Sequence, residues 1–250
     1  MQPHRSRYWL NAQPEDPEQF QAQIVAVCDC YHQAPRLHEE EGTHTVSVDE
    51  MTGIQALERI APTKPMKRGL EERREFEYKR NGTQCLIGNF EVTTGQVICP
   101  TVQATRTEDD FATHIAHTVA TDIEAGWIFV TDNLTTHCSE SLVLYVARAC
   151  GIEDDLGKKG KQGVLKSVKT RKAFLTDQSH RIRFVYVPKH TSWLNQIEIW
   201  FSILVRRVIK RGNFTSTSNL REKILAFIDY FNRTLAKPFK WTFTGRPLNV

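Results

Sequence analysis

Asp49, Asp132 and Glu198 are the residues of this chain whose types and positions could do chemistry together. Asp49 closes the alternating stretch THTVSVDEM, which reads as a strand delivering an acid at its end, and Asp132 follows the short apolar strand WIFVT. Glu198 leaves the first turn of a helical pattern just past a third strand. In open α/β sheets, sites form at the carboxyl ends of strands. If the first and fourth strands are neighbours, Asp49 and Asp132 stand side by side and Glu198 reaches over them. Gathered carboxylates repel and raise one another's pKa, so a cation must hold them. An all-oxygen donor set suits Mg²⁺ or Mn²⁺. Two such ions about 3.5–4 Å apart would serve phosphodiester chemistry, activating a water on one side and stabilising the leaving oxygen on the other.

The elements that must position these acids can be read in order. Residues 1–42 read as a lead-in: a helix over Pro17 to His32 with Phe20, Ile24, Val27 and Tyr31 on one face, then a linker from Gln33 to Gly42. Met51 to Tyr78 is charged and broken by prolines, a surface excursion. Strands over Gln84–Thr93 and Gln96–Gln103 meet at Thr94-Gly95 as a hairpin. Thr107 caps a helix whose apolar face is Phe111, Ile115, Val119 and Ile123, with Gly126 as its stop. Strand Trp127–Thr131 and helix Ser139–Cys150 follow. The segment 153–180 is rich in lysine. Ile182–Val187 is a buried strand, and after it Ile197, Phe201, Leu204 and Val208 mark one helix face, with Asn195, Glu198, Ser202 and Arg206 as a polar row beside it. A final amphipathic helix spans Ser216–Thr234, and 237–250 is an irregular tail. The expected architecture is α/β: a mixed sheet flanked by helices, with a basic insertion before the last strand.

Composition is that of an ordinary globular chain: 250 residues, 40% hydrophobic, 25% charged, net charge +4. No apolar run is long enough to span a bilayer, so no membrane partner is expected. The start has no signal-peptide pattern, and the six cysteines read as free thiols of a reducing cytoplasm. Cys28, Cys30 and His32 match no common zinc spacing.

The blocks VSVDE, FVTDNLTTH and PKHTSWLNQIEIWFS resemble the catalytic core of mariner-like DDE transposases, in the branch of bacterial insertion sequences, over roughly Thr43 to Arg233. The third block is the most specific, since Pro188, His190, Ser192, Leu194, Asn195, Glu198 and Phe201 all fall on the family pattern. The resemblance implies a ribonuclease H-like catalytic domain over 43–236, with Asp49, Asp132 and Glu198 as the metal-binding triad. It further implies DNA cleavage followed by attack of the freed 3′-hydroxyl on a target strand, a homodimer that joins transposon ends, and a bacterial, nucleoid-associated setting. The sequence departs from the family in two ways. Asp132 and Glu198 stand 66 positions apart, beyond the usual short spacing, because of the 153–180 insertion. The stretch before Thr43 lacks a paired-helix pattern, so the chain reads as a catalytic portion, either a truncated copy or one product of a split reading frame.

Asn133, His137, His190 and Asn195 are the supporting candidates. Either histidine could contact the scissile phosphate or a metal-bound water, or could make a structural hydrogen bond; Asn195 could orient Glu198 one turn away. Lys158, Lys159, Lys161, Lys166, Lys169, Arg171 and Lys172 of the insertion, with Arg206, Arg207 and Lys210 beyond Glu198, are candidate DNA-backbone contacts or solvated charges. Trp193 and Trp200 read as packing residues, and Glu50, Glu58 and Asp109 as surface acids. The rival readings are a ribonuclease H-like nuclease that cuts without joining and a domesticated or truncated DNA-binding protein without activity.

Overall fold

A computed structural model describes residues 14–245. Strands β1 (His44–Arg59), β2 (Tyr78–Glu91), β3 (Val97–Gln103), β4 (Trp127–Thr131) and β5 (Ile182–Tyr186) form one sheet in the order β3-β2-β1-β4-β5. β1, β2 and β3 pair antiparallel, whereas β4 and β5 join parallel to β1. The reason lies in the connections. A tight turn at Thr94-Gly95 can only return the chain antiparallel, while α2 (Glu108–Val119) and α3 (Glu140–Ala149) with α4 (Val168–Leu175) carry it back for parallel pairing. β4, buried at all five positions, is the central strand its unbroken apolar run predicts.

Period-2 alternation divides the core between the two faces. Val46, Val48, Trp127, Phe129 and Phe184 point to the face covered by α2, α3 and α4. On the other face, Ile54, Leu86 and Phe90 meet α5 (Gln196–Leu204) and α6 (Thr217–Thr234), whose Trp200, Phe201, Ile224 and Phe231 are buried there. Val92, Val130 and Val187 meet α1 (Pro17–Glu41). Each such fully buried side chain contributes about 1.5–3 kcal/mol relative to exposure.

The structure corrects several sequence expectations. The linker expected over 33–42 is helical: α1 runs to Glu41, because Ala34 and Leu37 bury against the sheet. Pro35 removes one intrahelical donor without ending the helix. The stop is Gly42, left-handed at φ 62°, whose N–H returns to the Leu37 carbonyl. β1 does not end at Asp49 but continues through irregular pairing to Arg59, which shortens the surface excursion to residues 60–77. α2 stops at Val119, and Ile123 is exposed rather than on its core face. The basic segment is no free loop, since Leu165 and Leu175 anchor it in the core. Beyond Leu204, a π-helical turn, Val205–Ile209, breaks the register that would have aligned Arg206 with Glu198. Trp200 is buried as expected, but Trp193 is 54% exposed. Of the tail, 237–245 is irregular, and 246–250, like residues 1–13 of the lead-in, lies outside the described residues. No helix among the described residues is long and apolar enough to cross a membrane.

Candidate active site

Strand register decides where the acids meet. The last parallel pair between β1 and β4 is Ser47 with Val130. Two residues further along both chains come Asp49 and Asp132, on the same side of the pleat by the period of two. Asp49 thus stands just where β4 has ended, inside a strand that continues only against β2. That is how a mid-strand residue comes to lie at a strand-end site.

The helix carrying Glu198 is fixed to the same strand. Its first two amides, those of Gln196 and Ile197, have no intrahelical acceptor, and the helix has no side-chain N-cap. Instead, the Ile197 N–H donates to Ser47 Oγ at 2.9 Å, and the Gln196 N–H approaches the Tyr31 hydroxyl of α1 at 3.4 Å. The Tyr31 hydroxyl itself donates to the Leu194 carbonyl at 2.9 Å. Asn195, fully buried, points its side chain away from the helix. Its Nδ2 donates to Asp49 Oδ2 at 3.0 Å and to the Val48 carbonyl at 3.1 Å, and its Oδ1 accepts from Ser47 Oγ. Asn195 therefore positions Asp49, not Glu198 as expected. Tyr31 and Ser47 escaped the sequence reading. The signal for Ser47 was the polar alternation Thr45, Ser47, Asp49 on one face of β1, all buried.

Asp132 is held from below. His137, in a 3₁₀ turn over Thr135–Cys138, is fully buried, with Nδ1 2.7 Å from Asp132 Oδ1 and 2.9 Å from Thr131 Oγ1. The Leu134 N–H also donates to Asp132 Oδ1, at 3.0 Å. On its far side His137 Nε2 faces Glu50 Oε1 at 3.6 Å, and neither atom has a hydrogen-bond partner. Glu50 is not a surface acid: its side chain is 1% exposed, with Arg106 at 3.3 Å. Burial, the largest effect, would lower the His137 pKa, but the Asp132 carboxylate in contact with it and the Glu50 carboxylate facing it across 3.6 Å overcome burial and raise the value to about 9. A buried imidazolium between two carboxylates cannot meet substrate, so His137 makes the structural hydrogen bond of its two readings.

The charges of the three acids act on one another. Burial pushes the Asp49 carboxyl up to about 7; the Glu50 amide opposes this, and the negative charges of Asp132 and Glu198 add to it. Glu198 is likewise raised, by burial and then by Asp132. Asp132 alone of the three is lowered: burial is the largest effect and raises it, but the hydrogen bond and charge of His137 and the Leu134 amide together outweigh burial. Three oxygen-donor groups with two pKa values held high lack positive charge, which is the demand a divalent cation meets. The triad is more open than a single ion's shell, for it is not a set whose ligand atoms all lie within 4.8 Å of one another.

The other candidates divide. Asn133 Nδ2 donates to the Val187 carbonyl and its Oδ1 accepts from Lys172 Nζ, both at 2.5 Å, so it ties β4's end to β5 and α4. Lys172 lies 4.5 Å from the Tyr186 ring centroid, half-buried at the rim of the site. Arg171 is no DNA contact: it is buried, and its guanidinium donates to the carbonyls of Cys138 at 2.6 Å and Leu165 at 3.2 Å. Lys159 reaches Glu108 and Glu140, whereas Lys158, Lys161, Lys166, Lys169, Arg206, Arg207 and Lys210 are exposed. His190 is exposed in a turn at φ 64°, a backbone conformation uncommon outside glycine. Asp109 is exposed as expected, and Glu58 is half-buried with Asn81 as its donor.

Comparison with known proteins gives a family and a fold. The DDE superfamily endonuclease family matches residues 44–221, well over half of the chain and spanning all three acids. The catalytic domain of Mos1 mariner transposase superposes with a TM-score of 0.50 at 9% identity, over 93% of this chain and 89% of that one. The Mos1 transposase of a strand transfer complex superposes with a TM-score of 0.52 at 9% identity, over 95% of this chain. The chain spans about 60% of the length of that Mos1 chain. Identity this low shows the shared fold alone: a mixed five-stranded, ribonuclease H-like sheet flanked by helices. No curated protein is similar enough in sequence to match.

Proposed function

The chain belongs to the DDE superfamily of endonucleases, and on that premise we propose that it is the catalytic portion of a DNA transposase, with Asp49, Asp132 and Glu198 as its triad. One observation carries this reading: the register that sets Asp49 level with Asp132, beneath a helix whose first turn bears Glu198 and is bonded to the same strand. The motif around Glu198 supports the branch found in bacterial insertion sequences, and with it a setting on bacterial nucleoid DNA.

The three carboxylates would hold Mg²⁺ or Mn²⁺, two ions in all, supplying activation of the attacking oxygen and stabilisation of the leaving one. The protein's own part is positioning. Asn195 and the Glu50 amide fix the Asp49 oxygens, and His137 with the Leu134 amide fixes those of Asp132. A charged His137 between Asp132 and Glu50 keeps Asp132 ionised and ready as a ligand. The exposed lysines of 158–169 and the cations past Glu198 would follow the DNA backbone, with transposon ends and target as substrates and a homodimer to pair two ends.

The test is incubation of end-bearing duplexes carrying a free 3′-hydroxyl with supercoiled plasmid and Mn²⁺. Joined products are expected, and Asp49→Asn, Asp132→Asn or Glu198→Gln should each lower them by at least about 100-fold, more than loss of an outer-shell partner costs. Nicked plasmid without joined product would favour the nuclease that only cuts. Activity unchanged by all three substitutions would remove the triad.

A further inference from the structure

At the start of β1, away from the acids, three side chains from three separate elements converge. His38 projects from the last turn of α1, His44 begins β1 and Glu91 ends β2. One nitrogen of each imidazole and one Glu91 oxygen all lie within 4.8 Å of one another. His44 Nδ1 faces Glu91 Oε1 at 2.5 Å, and the two imidazoles meet edge to face with centroids 5.3 Å apart. β1 rises about 3.3 Å per residue, so this cluster lies roughly 17 Å from Asp49 and cannot share its ions.

A His44–Glu91 ion pair explains two of these residues but not the third, exposed His38, nor the partner on the other side of His44. His44 Nε2 lies 3.5 Å from Asp122 Oδ2. An imidazole with one nitrogen toward a carboxylate donor set and the other toward an outer carboxylate has the arrangement of a metal-ligating histidine, whose second nitrogen is held by an acceptor. The ring is further fixed by stacking on Trp127, with centroids 4.4 Å apart. Thr94 Oγ1 donates to the other Glu91 oxygen at 2.6 Å, leaving Oε1 aimed into the cluster.

We propose that His38, His44 and Glu91 hold one Zn²⁺ or similar borderline divalent ion, which clamps α1 onto the sheet. Two imidazoles and a carboxylate favour such an ion over Mg²⁺, which demands oxygen and keeps its water. Bonds of about 2.0–2.2 Å set tetrahedral ligands roughly 3.3 Å apart. The His44–Glu91 contact therefore opens as the ion replaces the proton between them, while His38 swings in by a rotamer change that an exposed side chain makes freely. Three protein ligands leave a fourth position for water. The consequence reaches the active site through α1, whose Tyr31 hydroxyl anchors the start of the Glu198 helix.

The experiment is titration of the chelator-stripped full chain with Zn²⁺ against a chromophoric chelator, under saturating Mg²⁺ to fill the carboxylate triad. One equivalent is expected, with Tm rising by about 5–10 °C at a hundredfold excess over Kd. His38→Ala, at an exposed position that leaves the fold intact, should weaken Zn²⁺ binding by more than about 100-fold and abolish the Tm shift, and His38→Gln should do the same. Asp122→Asn should weaken it by about 10-fold, as loss of an outer partner does. Asp49→Asn should retain it. No Zn²⁺ uptake by the parent, uptake by the His38 variants as tight as the parent's, or loss of uptake in Asp49→Asn would each overturn the proposal. The readout involves no DNA, so it stands or falls apart from the transposase reading.

Discussion

Replacing Asn195 with alanine tests whether one buried amide holds the site together. The native side chain is fully buried and makes three hydrogen bonds: to the Asp49 carboxylate at 3.0 Å, to the Val48 carbonyl at 3.1 Å, and from Ser47 Oγ. A hydrogen bond to a charged group contributes about 1.5–3 kcal/mol and a neutral one about 1 kcal/mol, so the gross loss is about 3–5 kcal/mol. Water entering the vacated space restores part of it, leaving about 3 kcal/mol. That is a large share of a typical stability of about 5–15 kcal/mol. Urea unfolding should show a lower midpoint at unchanged slope, and Tm should fall by about 6–12 °C. Asn195→Asp keeps the shape but replaces the donor with an acceptor facing the Asp49 carboxylate, so it should destabilise at least as much at neutral pH. Stability of either variant within about 0.5 kcal/mol of the parent, the range of inert surface changes, would refute the role given to Asn195.

Two further perturbations test the surrounding structure. His114 is buried on α2 with Thr101 Oγ1 2.8 Å from its Nδ1; burial, aided by the charge of His117, pushes its pKa down to about 3. A depressed histidine is neutral when folded and protonates only on unfolding, so its stabilisation is complete above the unfolded pKa of about 6.5 and is lost as pH falls toward 3. Between pH 7.5 and 5.5 the parent should therefore lose about 1.4 kcal/mol relative to His114→Asn in urea unfolding; a difference flat across that range would show His114 to be solvated. Arg171→Ala strands the carbonyls of Cys138 and Leu165 and should cost about 3 kcal/mol in urea unfolding. Arg171→Lys should rescue little of that loss, because an ammonium cannot reproduce the fork; full stability of the lysine variant would show that only charge mattered there.

Much of this protein is decided by local pattern. WIFVT can only be a central strand, Thr94-Gly95 a tight reversal, and the spacing from Ile197 to Leu204 a helix face, because each rests on short-range periodicity or turn geometry. The three acids were legible because local pattern marks Asp132 just past a strand and Glu198 in the first turn of a helix, while Asp49 was found through a strand end that the structure moves on to Arg59. Their neighbours were not. His137 reads in sequence as either a substrate contact or a structural hydrogen bond, and it is buried between carboxylates because Glu50, read as a surface acid, folds in behind it. Asn195 looks like a partner of Glu198 by helical spacing, yet it caps nothing on its own helix and reaches across to Asp49. Arg171 sits in a run of cations and is distinguished from them only by the carbonyls it meets. The expected linker is helical to Glu41 because Ala34 and Leu37 find the sheet, a contact no local signal contains. Sequence thus determined which elements form and which acids they carry, since those follow from interactions within a few residues. Tertiary structure decided how each polar group is partnered, since burial and charge pairing depend on residues far apart in the chain.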